Sequence, residues 1–223
     1  MTRAISHVQY SKSEELLNTL THAAGAFLAA GVLWLALGRS LLMGGLAAPL
    51  SALIYGLSML LLFITSAVYH GLPAGPARQK ARVLDYSMVF VLIAATATPI
   101  ALVGLYDRAR GRALFIFIFA WACALTGLAM SLFFFEKTRI LRMVLYVGQG
   151  IIMFAVSYPL IDLIDKNSFL SFLLGGAVFL IGMIFLRLGV KHRYMHTVFH
   201  LFVLAGCAIH FYAMLKYVFV LPT

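Results

Sequence analysis

The chain has 223 residues, of which 63% are hydrophobic and 11% charged, and its mean hydropathy is +1.00. Soluble domains carry about a quarter charged residues, so a water-soluble globule is excluded, as are a disordered chain and, without a three-residue glycine period, collagen. Lys and Arg number 17 against 7 Asp and Glu, a net charge of +10. These basic residues sit in short gaps between apolar runs, which makes anionic membrane lipid their partner and not nucleic acid.

A membrane-spanning helix needs about 20 mostly apolar residues. Seven such runs predict helices at 20–38, 46–70, 84–106, 113–135, 140–161, 169–187 and 196–221. They are apolar on every face, whereas a barrel strand must alternate, so helices are the economical solution. The expected fold class is an all-α integral membrane protein: a seven-transmembrane helix bundle forming one domain over residues 1–223, with short loops. Ahead of the first run, residues 1–15 are polar and carry Arg3, Lys12, Glu14 and Glu15, and no small-residue cleavage site follows that run. No cleaved signal peptide is expected. Gly25 and Gly31 in the first run, and Gly175, Gly176 and Gly182 in the sixth, suit close approach of neighbouring helices. In the third run Pro99 predicts a kink, with Thr96 and Thr98 placed to satisfy the freed carbonyls. Cys123 and Cys207 each fall inside an apolar run and read as small buried hydrophobes, without a disulfide framework.

Charge sets the expected orientation. With the amino terminus inside, the inner segments hold eleven of the 17 basic residues, among them Arg3, Arg78, Arg142 and Arg193. The outer segments keep Arg39, Lys166, Lys216 and the cluster Arg108, Arg110 and Arg112. The reading is a multi-pass protein of the inner (plasma) membrane with a cytoplasmic amino terminus and an external carboxyl terminus.

Ionisable groups in membrane helices are costly, and each is a functional candidate. Because helix direction alternates, the end of the second run (His70), the start of the third (Asp85) and the start of the seventh (His196, His200) share one level, expected to be cytoplasmic. His22 shares it too. His210, fourteen residues beyond His196, lies about 20 Å further along the axis. His192 stands between Lys191 and Arg193 in a loop, and His7 lies outside the membrane. His196-x3-His200 places two imidazoles on one helix face, and His70 adds a third at the same depth. Ser66, one turn behind His70, can orient an imidazole or a water. Three neutral nitrogen ligands leave a tetrahedral zinc one open position, the pattern of a catalytic site. Asp85 can serve as a fourth ligand, as an acceptor from water on the metal, or as a general base; a juxtamembrane ion pair with Arg82 is the alternative.

Taken together, Glu15-x2-Asn18-x3-His22, Ser66-x3-His70, Asp85 and His196-x3-His200 followed by Leu-Phe-Val-Leu-Ala-Gly resemble the haemolysin III branch of the progestin and adipoQ receptor (PAQR) family, over nearly the whole chain. That resemblance implies seven helices and a zinc ion near the cytoplasmic face. It assigns His70, His196 and His200 as ligands, Asp85 as acidic partner of a zinc-held water and Ser66 as its polar neighbour. Glu15, Asn18 and His22 take a structural or supporting part. The chain departs from the family at Asp85-Tyr86, where many bacterial members have Asp-His, and at Ala95-Thr-Ala-Thr-Pro99, where Gly-Thr-Tyr-Thr-Pro is usual. The implied activity is zinc-dependent, ceramidase-like hydrolysis of a lipid amide or ester. The alternatives are a non-enzymatic lipid sensor or receptor stapled by structural zinc, and a cytolysin; for the last, no conditionally inserted amphipathic segment is present.

Overall fold

The computed structural model describes residues 10–160 and 165–221. Arg3 and His7 fall outside them, as does the predicted end of the fifth helix at 161. Among the described residues, seven helices long and apolar enough to cross a membrane follow in order. They are α1 (Lys12–Leu41), α2 (Ala47–Gly71), α3 (Pro76–Pro99), α4 (Arg110–Phe133), α5 (Arg139–Ser157), α6 (Lys166–Leu188) and α7 (Met195–Ala213). Among the described residues there is no strand. α1 packs on α2 and α7, α2 on α3, α3 on α4, and α6 on α7.

Two helices begin well before the apolar runs that predict them. α1 starts at Lys12 and not at 20, because Ser11 and Glu14 form a reciprocal capping box that closes otherwise open N–H groups. α3 starts at Pro76 and not at 84, with proline in the first turn, where its missing N–H costs nothing. An apolar run measures hydrocarbon thickness; a helix can continue past it through the headgroup zone. Asp85 therefore sits inside α3, more than two turns from its start, while still at the beginning of the apolar run.

On α1 polarity is arranged in the reverse of a soluble helix. On α1 the buried stripe is Glu14, Asn18, His22, Gly25 and Ala29, polar at one end and small beyond it. The opposite face shows Phe27 at 82% and Trp34 at 74% exposure, as a lipid-facing surface should. Where hydrocarbon surrounds the protein, apolar burial drives nothing; close packing and polar contacts hold helices together. Gly25 illustrates this, since a Cβ there would stand 2.6 Å from the Phe63 ring and 2.8 Å from Leu204. Gly182 lies as tightly against Phe202, and Gly175 against the His210 ring. Gly31 does not fulfil the expectation placed on it, because nothing lies within 4 Å of its absent side chain.

Pro99 is accommodated differently from the reading above. Thr96 and Thr98 donate to the carbonyls of Leu92 and Ala94, not to that of Ala95, which the proline leaves free. The α-helical pattern gives way after the proline to a wide π turn, Ile100–Leu105, that continues α3. Cys123 and Cys207 are buried free thiols. The packing contrast predicts that Gly25→Ala destabilises the bundle by about 1–3 kcal/mol through overpacking, while Gly31→Ala changes stability by less than about 0.5 kcal/mol. Reversible unfolding in mixed micelles measures both.

Candidate metal centre

At the end of the bundle that carries the amino terminus, α1, α2, α3 and α7 bring their polar residues to one place. His70 is in the last turn of α2, while His196 and His200 occupy successive turns at the start of α7. All three are buried, with exposures of 2%, 8% and 1%. Their ligand atoms lie within 4.8 Å of one another, a group able to hold a metal ion. His196 Nε2 stands 3.2 Å from His70 Nε2 and 3.1 Å from His200 Nε2. Two nitrogens bound to one tetrahedral zinc at about 2.05 Å would be about 3.3 Å apart.

The tautomers tell whether such a cation fits. His70 Nδ1 is 2.7 Å from Glu15 Oε2. A carboxylate only accepts, so Nδ1 carries a proton, and in the neutral tautomer that this fixes the lone pair is at Nε2. His200 Nδ1 is 3.2 Å from Thr21 Oγ1, and that hydroxyl has carbonyls of α1 within reach, Leu17 at 2.8 Å and Asn18 at 3.0 Å. Its one proton goes to a carbonyl, so it accepts from Nδ1, and His200 too presents a lone pair at Nε2. Two lone pairs thus face His196 Nε2, which can offer one proton at most. A cation among the three nitrogens resolves the conflict, and neutral imidazole is the right ligand chemistry for a divalent metal.

The surrounding shell is equally specific. Glu15 also pairs with Arg78 of α3, so the carboxylate that orients His70 is itself anchored. His22 stacks on His200 with ring centroids 3.6 Å apart and planes within 15°. Thr197 donates to Asn18 Oδ1 at 2.6 Å, tying α7 to α1. Ser66 is buried at 1%, and Asp85 has Ser66, His70 and Arg82 as its polar neighbours. Among the described residues the metal-capable group comprises the three histidines and does not include Asp85. Arg82 pairs with Glu136 at 3.2 Å. His210 lies apart, its Nε2 3.0 Å from the Phe172 carbonyl, where it joins α7 to α6, and His192 is exposed.

Three residues here escape the sequence reading. Tyr10 stacks on His196 at 4.8 Å, Thr21 orients His200, and Glu14 accepts from the backbone of Tyr194 at 2.8 Å. Thr21 is discoverable in principle, being one turn from Asn18 on a stripe already rich in polar groups. Nothing in the local sequence points to Tyr10.

A multi-pass membrane protein with a buried trio of histidines able to take a metal ion is thus the class that fold and site define. The sequence profile of the haemolysin-III related family matches residues 10–211. Along its full length the chain is 30% identical to Hemolysin-3 of Bacillus cereus, over 223 residues covering 100% of this chain and 99% of that one. It is 30% identical to the Hemolysin-3 homolog of Bacillus subtilis (strain 168), over 96% of this chain and 98% of that one. It is also 25% identical to the human monocyte to macrophage differentiation factor, over 78% of this chain and 73% of the relative. The chain belongs to the haemolysin III family, within the wider PAQR group.

If Glu15 fixes the tautomer and direction of His70, Glu15→Ala lowers metal affinity about 10–100-fold while leaving the helical content unchanged. Competition with a chromophoric chelator, alongside circular dichroism, tests this.

Proposed function

We propose that this chain is a zinc-dependent membrane hydrolase that cleaves an amide or ester bond of a lipid. The observation that carries the reading is the convergence of two forced Nε2 lone pairs and a third imidazole beside a carboxylate, Asp85, that stands outside the trio. A structural zinc is closed by four protein ligands, whereas a catalytic one keeps a position open. Three histidines with an acid nearby fit the second pattern.

His70, His196 and His200 would hold the metal, which when bound supplies Lewis acidity and makes water acidic near neutral pH. The Asp85 carboxylate then takes the proton of the attacking water, and later returns it to the leaving amine or alcohol. Ser66, next to Asp85, orients that carboxylate or the water. The centre lies near the helix ends, so a lipid can present its polar linkage at headgroup depth while its acyl chain stays in hydrocarbon. The basic residues support placing this end, with the amino terminus, on the cytoplasmic side of the plasma membrane.

Purified protein in lipid nanodiscs, offered zinc and a short-chain ceramide or ester analogue, provides the test. His196→Ala is expected to lose both stoichiometric zinc and hydrolysis. Asp85→Asn is expected to keep zinc within a few-fold but to lower kcat by about 10²–10⁴. Hydrolysis that persists without the trio, or zinc lost in Asp85→Asn, would reject this mechanism. For orientation, a phosphatase that is active only outside the cytoplasm should show activity when fused at the carboxyl end.

A further inference from the structure

The three histidines are not held alike. His70 and His200 each have the ring nitrogen remote from the cluster tied down, by Glu15 at 2.7 Å and Thr21 at 3.2 Å. His196 Nδ1 is buried without a hydrogen-bond partner among the described residues. A metal-ligating imidazole ordinarily gains its direction from that second nitrogen, so something else must aim this ring.

Two contacts bear on it from the chain at and just before the start of α1, beside the Phe199 ring of α7 itself at 5.6 Å. The first acts on the backbone. Tyr194, two residues before His196, is the N-cap of α7, and among the described residues it is the one non-glycine with positive φ, at +62°. A tyrosine disfavours that left-handed conformation, and here no side chain of its own caps the helix. Its N–H donates to Glu14 Oε1 at 2.8 Å. The other oxygen of Glu14 accepts from the Ser11 N–H at 3.0 Å and the Ser11 hydroxyl at 2.6 Å, with Arg193 Nε at 3.7 Å. Glu14 is 6% exposed, so a carboxylate bonded on both oxygens bolts the α6–α7 turn to the capping box of α1. The second contact acts on the ring. The residue before that box, Tyr10, lies nearly parallel to His196, with centroids 4.8 Å apart and planes at 25°. The end of α6 also packs closely on the start of α7, because a Cβ at Gly189 would meet His196 N at 3.0 Å.

We propose that Glu14 is the positioning residue of the third ligand: by holding Tyr194 in its left-handed turn it sets where α7 begins, and with Tyr10 it aims His196 Nε2 at the other two nitrogens. The inference rests on the three histidines being the metal site, and it assigns Glu14 and Tyr10 no contact with substrate.

The test is a zinc titration of the full chain in nanodiscs, by competition with a chromophoric chelator, with cobalt(II) absorption reporting ligand geometry. Glu14→Ala should weaken zinc binding about 10–100-fold and shift the cobalt bands. Glu14→Gln, whose amide oxygen can still accept from Tyr194 N–H, should recover most of that loss. Adding Tyr194→Asn to Glu14→Ala should also restore affinity, because asparagine tolerates the left-handed turn without the bolt; general loosening of the bundle would not be rescued this way. Tyr10→Leu, which leaves the capping box whole and serves if Glu14→Ala does not fold, should weaken zinc about 2–10-fold. Unchanged affinity in Glu14→Ala or in Tyr10→Leu, or no recovery in the Glu14→Ala/Tyr194→Asn double variant, overturns the proposal. If the unaltered chain takes no zinc, or binds it equally well as His196→Ala, the metal-site reading itself fails and takes the proposal with it.

Discussion

Two imidazole lone pairs directed at a third ring nitrogen from 3.2 and 3.1 Å, among buried side chains, form an arrangement that the three neutral rings alone cannot satisfy. An unmatched buried acceptor costs about 1–3 kcal/mol. The chain concentrates such acceptors in one spot and surrounds them with groups that fix their protonation: Glu15 on one side, Thr21 on the other. Much else follows from that constraint. α1, α2 and α7 must meet at one level, α3 must supply Arg78 to neutralise Glu15, and the turn entering α7 must bring His196 in at a defined angle.

The solvent explains the rest of the architecture. In hydrocarbon, bulky side chains gain nothing by being inside, so many face outward, and small or hydrogen-bonded residues share the interior with close-packed rings such as Phe63 and Phe90. α1 is the clearest instance, with glycine and alanine where it crosses α2 and α7, and Glu14, Asn18 and His22 where it meets the histidines. At the far end of the bundle a different polar contact, the Arg39 guanidinium on the Leu215 carbonyl at 2.9 Å, ties the last turn of α1 to the chain leaving α7. α1 is thus fastened to α7 at both ends by polar groups, and along its middle by shape.

The spans were legible because hydrophobic length is a one-dimensional property, and the three histidines because alternating helix direction converts chain position into depth. Depth is not angle, however. It could not show that Glu15 faces His70 or that His22 lies flat on His200, since both depend on how α1 is rotated against its neighbours. The starts of α1 and α3 were misplaced for a related reason: Ser11–Glu14 and Pro76 are helix-start signals lying in polar sequence, where a search for apolar runs does not look. The threonines around Pro99 misled because a β-hydroxyl most readily returns to the carbonyl four residues behind it. Tyr10 left no trace, because its partner is 186 positions away and aromatic stacking follows no local pattern.

The bolt between Glu14 and Tyr194 has a consequence for biosynthesis. Its two halves are separated by 180 residues, which at about 5–20 residues per second take roughly 10–35 s to polymerise. During that interval Glu14 has Ser11 of its own capping box as partner, while its bond to Tyr194 and the Asn18–Thr197 bond are not yet made. The contacts that tie the first helix to the last therefore form only after the last one emerges from the ribosome. A chain truncated before α7 carries an exposed polar stripe that membrane quality control can read.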